Sequence, residues 1–519
     1  MNEEYDVIVV GAGNGGLMAA LNIASKGKSV LVIEENSTPG GLATSFVRGR
    51  FEFENSLREL SNFGSESDVG DIRTLFDKYD LNEKIEWVEL PEAYKIVKTS
   101  NPKCEYVIPF GVDEFIKKME EIEPGCKDKV SEFFELTKEV YNGFNYIKNN
   151  NYDIEFIKKN YPNFLNVSTY TMDEVFKKLK LPKVIEEIIS SYWIYFGVSS
   201  INMNFAHYIY SFYQYISMKG YIPKNRSQEI SNAIENKIIG YGGKVYYNER
   251  VFKILCENNK VVGVSTTKGT YKTNHVIYNG SHYNVLSMID SVPLNMLKLV
   301  NSRKLSSTAF TVYLGINKSI DEIGLKNYQY LIYDSLDSNT EINNMNKLDN
   351  DTLIVTCLNN AIKDASEDNT SIITITALYN SDVFNKVLNE SNYYSLKEKI
   401  ASKLINRFEE SLGVNIKDDI EEIEISSPVT YSKYNSSPDG CIYGYMLSNS
   451  DSVISRMTNR DEDNKVNGLR FCGSYSYYGH GYDSTYLNGN EIANMTLKDI
   501  EKEGVWWSKL KYHLFLIKI

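Results

Sequence analysis

A chain of 519 residues exceeds what one hydrophobic core usually supports, so two packed domains with room for a large buried cavity are expected. Its formal charge of -12 excludes the cationic surface that follows nucleic-acid phosphates, so no DNA or RNA partner is expected. The six cysteines (Cys104, Cys126, Cys256, Cys357, Cys441, Cys472) show no CxxC spacing, and "MNEEYDVIVV" lacks a cationic segment followed by an apolar one, which places the chain in the cytoplasm or at its membrane face.

The first element is a buried parallel strand, Val7 to Val10. Gly11-Ala12-Gly13-Asn14-Gly15-Gly16 then opens an apolar helix through Leu17, Ala20, Leu21 and Ala24. Gly11 permits the tight turn, Gly13 lets a pyrophosphate approach the backbone, and Gly16 lets helix and strand pack closely, while N–H groups at the helix start hold the anion. A second strand, Ser29 to Ile33, ends in Glu34, whose carboxylate suits ribose hydroxyls and disfavours a 2′-phosphate. Pro39-Gly40-Gly41 supplies a second glycine pair that lets a loop return over the pyrophosphate, as a long, buried FAD requires and an exchangeable NAD does not.

Further along, "SYWIYFGVSSINMNFAHYIYSFYQYI" supplies Tyr192, Trp193, Tyr195, Phe196, Phe205, Tyr208, Tyr210, Phe212, Tyr213 and Tyr215. Aromatics at helical spacing form core, and this density also suits the lining of a long apolar substrate tunnel. "GYGG" (Gly240 to Gly243) precedes a strand, so it is a helix-to-strand turn rather than a second nucleotide fingerprint. From Lys244 the chain reads strand-turn-strand, with turns at Glu257-Asn258-Asn259-Lys260 and Lys268-Gly269. Val251 is either a backbone contact for an adenine or an ordinary buried strand residue. "SNTEINNMNKLDND" (Ser338 to Asp351) is loop-like. Phe471-Cys472-Gly473 forms a short strand, and a helix begins at Tyr486. The five histidines and the cysteines offer no ligand spacing, so no metal is expected. No stretch of about 18 apolar residues spans a membrane. The tail "VWWSKLKYHLFLIKI" (Val505 to Ile519) mixes Trp506, Trp507 and Leu510 with Lys509, Lys511 and Lys518, which suits a membrane interface or a helix docked on its own domain.

Seven segments in family order resemble the phytoene desaturase, carotenoid isomerase and retinol saturase superfamily of FAD-dependent oxidoreductases, over nearly the whole chain. They are "PGGLATSFVRGRFEFENSL", "PFGVDEFIKKMEEIEPG", "GYIPKNRSQEISNAI", "GGKVYYNERVFKILCENNKVVGVST", "SSTAFTVYLGI", "SPVTYSKYNSSPDGCIYG" and "GLRFCGSYSYYGHGYDSTYLNGNEIA". The resemblance implies an α/β fold with an α+β insertion: a discontinuous Rossmann-like FAD domain of the glutathione-reductase and amine-oxidase type, and an inserted substrate domain with a mixed sheet and helices. The FAD domain would take residues 1–100, 220–300 and 466–500, the substrate domain 101–219 and 301–465, and the tail 501–519. FAD contacts fall on Gly11, Gly13, Asn14, Gly15, Gly16, Glu34, Glu35, Gly40, Gly41, Leu42, Val251, Gly473, Ser474, Gly481 and Tyr482.

The chain departs from the family pattern at Asn225-Arg226, where a glycine pair is usual, and at Ser56, Ser474, His480 and Asp483. These positions leave the nucleotide half untouched and bear on the ring's environment. His480, between Gly479 and Gly481, is either a cation or donor at the ring's edge or a solvent-facing loop histidine. Tyr478 and Asp483 are the other candidates for chemistry, with Tyr475 and Tyr477 beside them. The activity implied is desaturation, saturation or redox-neutral isomerisation of an apolar unsaturated isoprenoid, carotenoid-like or long-chain molecule. Electrons would be exchanged with a quinone, oxygen or another protein. A flavin amine oxidase and a non-catalytic lipid-binding escort of the same fold are the alternatives.

Overall fold

The computed structural model describes residues 3–149, 153–452, 455–456 and 466–517, with side chains described as far as Glu503. Two compact units divide the chain: Met1–Ala43 with Ile230–Ser302 and Asp461–Ile519, and Thr44–Glu229 with Arg303–Arg460.

In the first unit, five parallel strands lie in the spatial order Leu469–Cys472, Val276–Asn279, Val7–Val10, Val30–Ile33, Lys244–Tyr246. Every residue of Val7–Val10 and Val30–Ile33 is buried, as strands covered on both faces require, and this is why they read as unbroken apolar runs. Helix Asn14–Ser25 links those two strands, and helix Tyr482–Ile517 follows the edge strand Leu469–Cys472. The two helices touch through glycine: a Cβ on Gly489 would fall 2.1 Å from the Gly15 carbonyl oxygen. Asn22 Nδ2 fastens the same seam, donating to the Asn490 carbonyl at 3.0 Å and to Asn494 Oδ1 at 2.9 Å.

An antiparallel meander, Val251–Glu257, Lys260–Thr266 and Thr270–Lys272, completes the unit. Its first turn is carried by Asn258 and Asn259, both at positive φ (50° and 60°), the conformation of a two-residue hairpin turn that asparagine tolerates. Gly240–Gly243 joins helix Ser227–Gly240 to strand Lys244–Tyr246, as the sequence suggests. The C-terminal helix starts at Tyr482, a full turn before the expected Tyr486, because the Thr485 amide already bonds the Gly481 carbonyl at 3.0 Å. Its backbone runs through Ile517, whereas the side chains on which the membrane-interface reading of residues 505–519 rests lie outside those described. No described helix is long and apolar enough to cross a membrane.

The second unit is built on a seven-stranded sheet in the order Ile420–Ser426, Ser307–Ile316, Ser371–Asn380, Leu353–Cys357, Gln329–Tyr333, Tyr94–Lys98, Cys104–Ile108. All neighbours are antiparallel except Gln329–Tyr333 with Tyr94–Lys98, so the mixed sheet expected of the inserted domain is present. Helix Tyr393–Leu412 closes one core over it through Ile400, Leu404, Ile405 and Phe408.

The first boundary falls at Ala43, not near residue 100, and the second after Glu229, not at 220. Hairpin Ser45–Arg48/Phe51–Glu54 belongs with the second unit, where the Phe46 and Phe53 rings sit 5.1 and 6.0 Å from Tyr313. Arg50 reaches Glu421 at 2.7 Å and Glu367 at 2.9 Å, and Tyr94–Lys98 is a strand of the second sheet. Residues 501–517, expected within a separate tail, group with the first unit because one helix runs through them.

The seam between the two helices predicts that Gly489→Ala, forced against backbone, lowers unfolding free energy by about 1–3 kcal/mol. Gly240→Ala, with nothing within 4 Å, leaves stability unchanged or slightly raised. Urea unfolding of the purified protein followed by circular dichroism checks both, and equal midpoints for the two variants would contradict the assigned packing.

Candidate functional site

Strand Val7–Val10 delivers the chain into a turn with Gly11 at φ +94°. The Gly11 amide bonds the Ile33 carbonyl at 2.8 Å, which ties the turn to the second strand. Gly13 then passes close to Asn279, where a Cβ would lie 2.7 Å from Nδ2. Helix Asn14–Ser25 begins at once, and the amides of Gly15 and Gly16 have no hydrogen-bond partner among the described residues. Unspent donors at a helix N-terminus make a seat for an anion such as a pyrophosphate.

Two other predicted segments converge on this turn. The Gly40 amide donates to the Ala12 carbonyl at 2.7 Å, so the Pro39-Gly40-Gly41 loop does return to the glycine turn. The next residue, Leu42, has its carbonyl held by the Tyr482 hydroxyl at 3.0 Å, which brings the start of the C-terminal helix to the same place. Glu34 is buried; its Oε2 accepts the Ala12 amide at 2.7 Å and its Oε1 accepts the Asn36 amide and Nδ2, both at 2.8 Å. Burial raises its carboxyl above the ordinary range, and these hydrogen bonds oppose the rise. Oε2 keeps a lone pair for a ribose hydroxyl. Glu35 is half-buried with Arg250 at 3.7 Å, and Val251 is buried at the start of its strand. These groups fit a dinucleotide: a donor cradle, a buried acceptor and glycine wherever backbone approaches backbone.

The last strand contributes Gly473, whose amide donates to Asn488 Oδ1 at 3.1 Å, followed by half-buried Ser474. Tyr475, Tyr477 and Tyr478 are buried, with the rings of Tyr477 and Tyr478 5.0 Å apart. His480 sits half-buried between Gly479 and Gly481, and Tyr482 and Asp483 form the first turn of the helix. Tyr478 and His480 thus lie in the four residues before the helix, and Asp483 lies in its first turn. The sequence reading missed Asn279, which lies against Gly11, Gly13, Gly15 and Gly473 and accepts from Cys472 Sγ at 3.6 Å. A lone asparagine ending the buried run "HVIYN" was the available signal.

It also missed a polar cluster inside the second unit. Glu54 ends the hairpin and accepts from the amides of Ser56, Leu57 and Ser227 at 3.2, 3.0 and 2.7 Å and from Ser227 Oγ at 2.7 Å. Arg226 adopts φ +68° and spends its guanidinium on the carbonyls of Ala365, Lys224 and Glu52 at 2.6, 3.0 and 3.2 Å. After Glu54 comes the buried Arg58, then Glu59, whose Oε1 accepts the Tyr192 hydroxyl at 2.9 Å and Oε2 the Gln329 amide at 3.3 Å. Gln329 Nε2 also donates to the Tyr195 hydroxyl. Much of the aromatic segment is core: Tyr208 and Tyr215 spend their hydroxyls on the carbonyls of Ile189 and Ala93 at 2.5 and 2.7 Å. Tyr192 and Tyr195 instead face the acid.

Burial pushes the Glu59 carboxyl from its ordinary 4.5 to about 7, against the pull of Tyr192, Gln329 and Arg58. Between those values the folded chain holds a proton that the unfolded chain releases. Stability therefore falls as pH rises through that window, by up to about 3 kcal/mol in all. Glu59→Gln removes the charge and keeps an acceptor, so its stability relative to the parent protein rises from pH 5 to pH 8. Thermal unfolding at the two pH values measures this, and an unchanged difference would contradict it.

Comparison with known proteins places these features. The family described as FAD dependent oxidoreductase matches residues 6–84, which contain the glycine turn, Glu34 and Gly40-Gly41. All-trans-retinol 13,14-reductase of Danio rerio is 25% identical over 483 residues, 85% of this chain and 78% of that protein. Prolycopene isomerase 1 of an Oncidium hybrid cultivar is 22% identical over 97% of this chain and 86% of its own, and 1-hydroxycarotenoid 3,4-desaturase of a Flavobacterium species 23% over 94% and 98%. Among solved structures, an oxidoreductase from Methanosarcina mazei matches with a TM-score of 0.64 at 15% identity, over 94% of this chain and 99% of that one. A putrescine oxidase variant also reaches 0.64, at 13% identity over 96% and 100%. The structural likenesses establish the fold without choosing among chemistries, and none of the three sequence relatives is an amine oxidase or an escort. Matches to a reductase, an isomerase and a desaturase over most of the chain, around a cradle shaped for a dinucleotide, make the chain an FAD-dependent oxidoreductase similar to the phytoene desaturase, carotenoid isomerase and retinol saturase superfamily.

Proposed function

We propose that this enzyme acts on an apolar, unsaturated, isoprenoid or carotenoid-like molecule, by desaturation, saturation or redox-neutral isomerisation. The observation that carries the reading is that relatives named for three different reaction directions, on retinol, prolycopene and a hydroxycarotenoid, each align along most of the chain, the second unit included. One substrate class with several outcomes is what a shared binding unit and a reversible electron carrier would give. FAD, when bound, supplies two-electron exchange with a substrate carbon through the flavin N5.

The chain's own contribution is binding, exclusion of water and electrostatic bias. The glycine cradle and Glu34 hold the dinucleotide. The first turn of helix Tyr482–Ile517, with its leading amides, favours negative charge, so placed at the ring's N1 edge it would stabilise a reduced, anionic ring. His480, at the same N-terminus, would donate a hydrogen bond or a positive charge there, while Tyr478 and Asp483 are proposed to orient it. The second unit, with its apolar sheet and ring-rich helices, would hold the substrate away from water, where transient charge on a polyene is governed by fixed protein dipoles. A quinone, oxygen or a partner protein would take or supply electrons whenever the substrate is not returned at its starting oxidation level.

Anaerobic photoreduction followed by addition of a polyene tests the reading. Reoxidation of the flavin band by a conjugated carotenoid precursor, or its reduction by the more saturated form, is expected. Turnover of an amine with release of peroxide and no response to any polyene would overturn it.

A further inference from the structure

Arg58 is a buried cation with most of its hydrogen-bonding capacity unspent. It is 8% exposed, and Nη2 donates to Thr376 Oγ1 at 2.9 Å. Among the described residues this is its only side-chain hydrogen bond, and no carboxylate lies within ion-pair distance of it. Its Nε and Nη1 are not among the fully enclosed polar atoms that lack a partner. Glu59, its sequence neighbour, directs its two oxygens to Tyr192 and Gln329 instead.

The guanidinium is held, not adrift. Thr376 Oγ1 lies 3.2 Å from Thr311 Oγ1, which lies 2.8 Å from the Tyr431 hydroxyl, so a relay of hydroxyls anchored in the sheet fixes one corner of the fork. Besides Glu59, the hydroxyls of Tyr313, Tyr195, Tyr328 and Tyr431 act most strongly on the charge, and none of them is an anion at neutral pH. A buried charge is retained when it is paired, and a planar fork with free parallel donors matches a carboxylate in two-point geometry. The other buried guanidinium near this hairpin, Arg226, is spent on three carbonyls, and Arg48 and Arg50 are paired with Glu424, Glu367 and Glu421, so Arg58 is left as a cation without a carboxylate partner, next in sequence to Glu59. That suits a single negative charge and opposes a phosphate dianion.

We propose that Arg58 receives the carboxylate end of the substrate, so that the molecule taken by the second unit is an unsaturated chain ending in an acid rather than a pure hydrocarbon. The assignment rests on the polyene reading above and narrows it.

The test uses the purified flavin-loaded enzyme, titrated with all-trans-retinoic acid and with its methyl ester while the flavin absorbance is followed. The acid binds about tenfold or more tighter than the ester. Arg58→Gln brings the two affinities together by weakening the acid and leaving the ester unchanged, so the ester reports that the variant is folded. Arg58→Lys, which keeps the charge and loses the fork, falls between them. Equal binding of acid and ester to the parent enzyme, or an acid preference that survives in Arg58→Gln, overturns the assignment. If the ester or a hydrocarbon polyene still reoxidises the reduced flavin in that case, the polyene reading stands and only the role of Arg58 falls. If no polyene binds or reacts, both fall.

Discussion

In the first unit the constraint on which the other features depend is backbone lying against backbone with nothing between. A Cβ on Gly15 would stand 2.8 Å from the Gly473 amide nitrogen, and one on Gly489 would collide with the Gly15 carbonyl. Keeping those positions free of side chains lets the first and last strands of the sheet bring their ends together with Asn279 between them. The same absence of side chains leaves the Gly15 and Gly16 amides open at the head of a helix, where the aligned peptide dipoles favour an anion. One packing requirement thus explains the glycine spacing, the parallel strand order and the binding chemistry.

The second unit follows a different logic. Its sheet and rings would be at least as stable with apolar residues in place of Arg58 and Glu59, because burying charge costs more than well-packed hydrocarbon of the same volume. The chain carries the pair nonetheless, and supports it with Thr376, Tyr192 and Gln329. If Arg58 receives a carboxylate as proposed, these groups add a point of chemical discrimination to an otherwise apolar unit. On the reading proposed above, the first unit would hold FAD by its phosphates and ribose, and the second would select the substrate.

The nucleotide half was legible because its determinants are local. Four apolar β-formers, a glycine turn, an acidic strand end and a second glycine pair follow one another within 41 residues, and each has one physical reading. The turn at Asn258-Asn259 was legible for the same reason. The domain boundary was not, because hairpin Ser45–Arg48/Phe51–Glu54 continues the nucleotide motif in sequence while its rings and arginines find partners more than 250 residues away, at Tyr313, Glu367 and Glu421. The start of the last helix was read late because glycine and histidine around position 480 mask a turn that the backbone begins at Tyr482. Arg58 and Glu59 escaped notice because adjacent opposite charges ordinarily mark a solvated loop, and only the burial of Leu57 and Leu60 on either side reveals otherwise. Tyrosines of the aromatic segment could be apportioned between core and cluster only once their hydroxyl partners were known.

Native mass spectrometry of the purified, full-length chain, compared with its mass after denaturation, examines the central claim most directly. The account predicts one FAD per chain, retained in the native state, released on unfolding and recovered on reconstitution. A chain that carries no flavin and takes none up when FAD is supplied would contradict it, because the cradle around Gly15, Asn279 and Gly473 would then have no dinucleotide to hold.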